Sequence, residues 1–128
     1  MIRKIPILAL FFLLISLATY ELIAVNNIIT KLETQVDALY EQVEHYKDDL
    51  SPCENLITKV KTNWDNNEDG LCVIFNHKDL SNITDTLTKL QTLIFNNDYD
   101  NAIVEVALLK EYSQKNKHIM GFNIQNLL

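Results

Sequence analysis

Two thiols, three imidazoles and a scatter of acids are the reactive side chains of this sequence. Cys53 and Cys72 are 19 positions apart, and no CxxC spacing exists. Neither a thiol–disulfide exchange motif nor a zinc ribbon is therefore encoded. A Cys53–Cys72 bridge would close a loop contributing about 3 kcal/mol in the chain-entropy picture. Bonding needs the two Cα atoms within about 7 Å, whereas a continuous helix would hold the pair about five turns apart. Only a sharp turn at 66–70 would bring them together. Two separate thiols are the expectation, and the disulfide is the alternative.

The remaining chemistry is thin. His45 follows Glu41 by four residues and shares its helix face, but a di-iron carboxylate bundle needs two Glu-x-x-His pairs and the sequence has none. HExxH is absent, and two glycines leave no room for a phosphate-binding loop or a dinucleotide fingerprint. No serine sits in a nucleophile elbow. His77, with Asp79 two residues on, stands where a helix begins, a place where an imidazole packs or caps. Acids at Asp48, Asp49 and Glu54, and again at Asp65, Glu68 and Asp69, lack the ligand order of a calcium loop and read as solvated helix ends. Asn82-Ile83-Thr84 has the form of a glycosylation sequon, placed on a helix. Trp64, Phe75, Phe95 and Tyr112 fall in register with apolar stripes and are expected in a core, not on a ligand platform. No enzyme, metal or other cofactor is expected.

Such residues need elements to hold them, and the composition says which kind. The 128 residues carry 17 acids against 11 bases, a net charge of −6, with 48% hydrophobic residues but only 2 Gly and 2 Pro. That is material for about one small domain, and too few turn formers for an all-β chain. Ile5 to Ala18 holds no charge, and Arg3 and Lys4 stand just before it. Extended to Val25, the apolar segment is about 31 Å long as a helix, the thickness of a bilayer core. Glu21 at its end can reach the headgroups beside Tyr20, an interfacial anchor. A cleaved signal peptide ending near Ser16-Leu17-Ala18 is the competing reading. No helix breaker separates the apolar segment from the residues after Val25, which favours an uncleaved anchor. Positive charge ahead of the span places the N-terminus in the cytoplasm and the remainder outside, at the cell membrane. Beyond residue 20 all 17 acids remain with 9 bases, a balance of −8, so nucleic acid is not an expected partner.

From Val25 the apolar residues fall at Val25, Ile29, Leu32, Val36, Leu39, Val43, Tyr46 and Leu50, a period of 3.5. β-Branched residues at a and Leu at d suit a parallel coiled-coil homodimer through residues 25–50. The later segments need a surface to bury against, and no charge ladder flanks the stripe, so packing within the chain is favoured. Ser51-Pro52-Cys53-Glu54 has the form of a helix start with Ser51 as cap. Leu56, Val60 and Trp64 share a face, and Gly70 leaves a kink or break open before Leu71, Ile74 and Phe75. Asn76 with Asp79 caps a third helix, with Leu80, Ile83, Leu87, Leu90 and Ile94 inward. Asn96-Asn97-Asp98 ends it and opens a fourth through Ala102, Val106, Leu109 and Tyr112. Polar Gln114 to Lys117 is expected to fray, and the apolar end from Ile119 to Leu128 to tuck against the bundle.

Trp64, the run Phe75-Asn76-His77-Lys78-Asp79-Leu80, Leu87 and Leu90, Asp98 with Ala102, Val106, Leu108, Leu109 and Lys110, and the closing Asn126-Leu127-Leu128 resemble a Firmicute family of short, membrane-anchored helical proteins of unknown function. The resemblance covers nearly the whole chain. It implies an N-terminal membrane helix, a small helical domain outside the cytoplasm, and a multi-pass membrane protein as neighbour. No activity comes with it. Asn66 to Gly70 departs from the family, whose second helix usually continues there. His77 belongs to the matched pattern, which makes Trp64, His77 and Asp79 the candidate interaction or structural residues.

The reading is an all-α protein. Residues 1–25 form a transmembrane anchor, or an uncleaved signal. Residues 26–50 are an amphipathic helix continuous with it, and residues 51–128 a helical hairpin domain packing on that helix, giving a three- to four-helix extracytoplasmic bundle. The expected role is that of an accessory or structural subunit of a membrane complex. An extracytoplasmic sensor or ligand-binding domain is the alternative.

Overall fold

A computed structural model describes the backbone of residues 4–72 and 75–127 and the side chains of residues 5–72 and 75–115. Its elements are α1 (Lys4–His45), a 3-10 turn (Ser51–Cys53), α2 (Glu54–Leu71), α3 (His77–Phe95) and α4 (Tyr99–Leu127). The described residues contain no strand, and the fold is all-helical as the composition requires.

α1 is a single helix of 42 residues, about 63 Å long. Its proline, Pro6, falls in the first turn, where the missing N–H has no helical partner to lose, and no glycine weakens it further along. Every side chain from Ile5 to Tyr20 is exposed. In the second half, Val25, Ile29, Leu32, Val36, Leu39 and Val43 are each 3% exposed or less. The stripe is thus buried within the chain. The helices form a ring in which α1 adjoins α2 and α4, and α3 adjoins the same two. Short connections make each neighbour antiparallel, the up-down-up-down order of a four-helix bundle. The core between them holds Ile57, Val60, Trp64, Leu71, Phe75, Leu80, Ile83, Leu87, Leu90, Ile94, Ala102, Val106 and Leu109.

Several local expectations are corrected. α1 stops at His45, so Tyr46 leaves the stripe, 39% exposed and edge-on to the His45 ring, while Leu50 returns to the core. Ser51 is not a helix cap: it opens the 3-10 turn, and its own N–H donates to Asp49 Oδ1 at 3.1 Å. α2 begins only at Glu54 and runs unbroken through 66–70. Gly70 faces open space, with nothing within 4 Å of a Cβ placed there, so neither packing nor turning demands a glycine. The helix ends at Leu71, and the Phe75 N–H reaches back to the Leu71 carbonyl at 3.0 Å. Ile74 lies outside the described residues. Phe95 is 52% exposed, contrary to expectation. Ile94 already holds the inward position of that turn, and the next residue is rotated about 100° away. Gln114 to Lys117 remain helical, inside an α4 that continues to Leu127. The side chains of Ile119 to Leu128, expected against the bundle, lie outside the described residues.

Two joints are built from asparagine. Asn76, extended at ψ 157, accepts from the Asp79 N–H at 2.9 Å and caps α3. At the other end of α3 the Asn97 N–H donates to the Ile94 carbonyl and the Asp98 N–H to the Leu93 carbonyl, with Asn97 at φ 57. That is a Schellman close, in which the residue after the cap must be left-handed. Glycine would serve the backbone, but asparagine adds a second function. Its Oδ1 accepts the Leu50 N–H at 2.8 Å, tying the α3–α4 corner to the segment that follows α1. Asp98 then caps α4, accepting from the Asn101 N–H.

Candidate functional site

The candidate residues separate into three places. Trp64 is in the core, 2% exposed, on the face of α2 shared with Ile57 and Val60. Its indole Nε1–H donates to Thr84 Oγ1 on α3 at 2.8 Å. The Thr84 hydroxyl has one proton for two acceptors, Glu68 Oε1 at 2.8 Å and the Leu80 carbonyl at 3.1 Å. The polar edge of a buried indole thereby finds its partner across the α2–α3 seam. Beyond its place in the sequon form, Thr84 carries no signal in the sequence. Its role comes from lying opposite Trp64, which only the helix register decides.

His77 and Asp79 belong to the first turn of α3, at the end of the bundle where α2 gives way to α3. His77 is exposed, and its Nδ1 is 3.8 Å from the Cys72 thiol, which also lies 3.7 Å from the Glu68 carbonyl. Asp79 holds the third helical position, where its N–H meets the Asn76 cap and its charge favours the helix N-terminus. Its carboxylate faces Lys115 of α4 at 4.0 Å. Every partner of Asp79 is thus structural, and no side chain relates it to Trp64.

The cysteines are free. Cys53 is fully buried in the 3-10 turn at the start of α2, and burial pushes its thiol pKa up, so it stays neutral. Cys72 is half-buried at the opposite end, beyond an α2 of 18 residues, about 27 Å of helix. The continuous helix keeps the two sulfurs apart.

Elsewhere the polar groups hold helices in register. Lys110 of α4 lies 3.6 Å from Asp37 of α1, an ion-pair distance longer than a hydrogen bond, and its Nζ stands 5.2 Å from the Tyr40 ring centroid. Lys89 pairs with Glu105 at 3.0 Å across α3 and α4. Lys61 and Asp65 pair along α2 at 2.8 Å. The acids noted in the sequence are occupied in this way or lie on open helix ends, and among the described residues no three His, Cys, Asp or Glu side chains converge on a point. Between α1 and α2 a gap of about 40 Å³ is lined by Ile28, Lys31, Leu32, Gln35, Asn63, Trp64 and Asn67. It has room for a water or two, which the buried Asn63 Nδ2 could use as a partner.

Positioned indole, cap and thiol thus read as parts that hold a bundle together. No curated protein and no solved structure matches the chain. The model of a domain of unknown function, DUF4363, matches residues 19–127, from the close of the apolar half of α1 to the end of α4, and the chain belongs to that family.

Proposed function

We propose that the chain is a single-pass membrane-anchored protein, its N-terminus cytoplasmic and its bundle outside, serving as an accessory or structural subunit of a membrane complex with a multi-pass protein as partner. The observation that carries this reading is the division of α1. From Ile5 to Tyr20 the helix is apolar on all sides, with every side chain exposed, while its second half is the wall of a filled core. A helix apolar all round needs an apolar surround, and a bilayer supplies it. The filled core weighs for a scaffold over a sensor. Trp64 is packed and hydrogen-bonded, and His77 sits apart from it at the surface, so the two frame no ligand pocket.

The test is crosslinking in membranes, followed by capture of the full-length protein and of a variant whose residues 5–20 are replaced by an unrelated apolar span. One multi-pass protein captured with the native span and lost with the replacement identifies a subunit that docks through its helix. The same partner with both identifies the bundle as the docking surface. Capture of no membrane protein by either overturns the subunit reading.

A further inference from the structure

The corner between α2 and α3 brings a thiol and an imidazole together. Cys72 directly follows α2, its N–H reaching the Asp69 carbonyl at 3.4 Å, and His77 is the first residue of α3. The chain between them is pinned. Phe75 is 5% exposed with its N–H bonded back to the Leu71 carbonyl, and the Asn76 side chain accepts the Asp79 N–H. Cys72 Sγ and His77 Nδ1 are thereby set 3.8 Å apart, the cysteine half-buried and the histidine open to solvent. The thiol has one proton for two acceptors, since the Glu68 carbonyl lies 3.7 Å from the same sulfur. Among the described residues the His77 ring has no polar partner besides this thiol.

One metal ion at ordinary bond lengths, about 2.3 Å to sulfur and about 2.0 Å to nitrogen, spans 3.8 Å with an angle of roughly 120° between its bonds. The two donors are thus already at the spacing of ligands to a single ion. The carbonyl end of α2, where the helix dipole is negative, lies at the sulfur and favours a cation there. The rest of the coordination sphere is open, because among the described residues no third His, Cys, Asp or Glu side chain converges on the pair. Two such donors suit neither structural zinc, which takes four protein ligands, nor calcium or magnesium, which take oxygen. Copper(I) is soft, prefers thiolate and accepts imidazole, and is satisfied by few ligands. We infer that Cys72 and His77 form a copper(I) site, with a third position open to a donor from outside the chain. On binding, a copper–sulfur bond replaces the S–H bond and the proton leaves to solvent; the metal stays copper(I) throughout. An ion held in this way can pass to another ligand by exchange alone. The site uses no residue of α1, so it holds whatever surrounds the apolar half.

The full-length protein in detergent is titrated anaerobically with copper(I) in competition with the chromophoric chelator bicinchoninate. The parent and Cys53→Ser are expected to withdraw one copper per chain, since Cys53 is fully buried at the far end of α2. Cys72→Ser is expected to withdraw none, and His77→Ala to bind at least about tenfold more weakly. X-ray absorption at the copper edge should show a sulfur and an imidazole nitrogen bound in the parent, with the nitrogen lost in His77→Ala. Circular dichroism melting of the copper-free variants at the parent temperature shows that a ligand is lost and not the fold. His77→Ala, at an exposed position, carries the test if Cys72→Ser melts lower. No uptake by the parent, or equal uptake by the parent and Cys72→Ser, overturns the site. Full affinity in His77→Ala overturns the pairing of thiol with imidazole.

Discussion

The two halves of α1 share one backbone and differ in everything their side chains meet. In the first, Leu, Ile, Phe and Ala occupy every face, and all stand open from Ile5 to Tyr20. In the second, six residues at 3.5 spacing are sealed in a core while Thr30, Thr34, Ala38 and Glu41 face out. Helix propensity and the i to i−4 ladder are equally served by both, which is why no break falls between them. The environment is written in the arrangement of apolar residues around the axis, not in their number. An all-round surface asks for an apolar solvent, and a stripe asks for other helices.

Placing the same charge in each half puts that contrast under the most severe strain. Leu39→Asp puts an unpaired carboxylate where the side chain is fully buried, and is expected to cost several kcal/mol and unfold the bundle, seen as loss of cooperative melting by circular dichroism in detergent. Leu13→Asp, at an exposed position, is expected to leave that melting unchanged. Equal melting of Leu39→Asp and the parent would refute the packing of α1. Next in size is Trp64→Ala, which empties the wall facing Leu32 and should lower stability by about 3–5 kcal/mol in a denaturant titration. Thr84→Val removes both the acceptor of the indole N–H and the hydroxyl that donates to Glu68, with an expected loss of about 1–3 kcal/mol, and a double-mutant cycle with Trp64 isolates the indole's share.

A smaller effect concerns the latch behind the buried half. Asn97→Ala strains a left-handed residue and leaves the Leu50 N–H without its acceptor, for an expected loss of about 2 kcal/mol. Asn97→Gly relieves the strain and should recover part of it, and the difference between the two melting temperatures separates backbone from hydrogen bond. The weakest effect is expected at Asp49, where the backbone and hydroxyl of Ser51 hold the carboxyl below the usual 3.8. A lowered folded value means that the contribution is present above the ordinary carboxylate range and fades as pH falls through the folded value. The acid limb of a melting-temperature profile below about pH 4 should be shallower in Asp49→Asn; an identical limb would show that the Ser51 contact does nothing for the fold.

Much of this is legible in the sequence, and the reasons are local. The α1 stripe from Val25 to Val43 reads directly because each apolar residue recurs at helical spacing. The Asn76–Asp79 cap reads because both partners are three positions apart. The features that escape such a reading depend on residues distant in the chain. Ser51 has the form of a cap, yet the chain tightens into a 3-10 turn there, with Leu50 drawn into the core and bonded to Asn97. Phe95 has the type of a core residue, but Ile94 fills its turn. Gly70 has the look of a break, and the helix passes through because one exposed glycine costs only about 1 kcal/mol beside a well-packed α2. The Trp64–Thr84–Glu68 contact is not legible at all, since it depends on how α2 and α3 slide against each other.

The absence of any joint in α1 sets a phase relation. Each residue added between Leu22 and Ala24 would turn the bundle by about 100° around the helix axis and lift it by about 1.5 Å relative to the apolar half. Four added residues would bring the bearing back to within about 40° but raise the bundle by about 6 Å. The direction in which the bundle faces its surroundings is therefore counted out in residues along one shaft, and a change in that count acts as a change of azimuth.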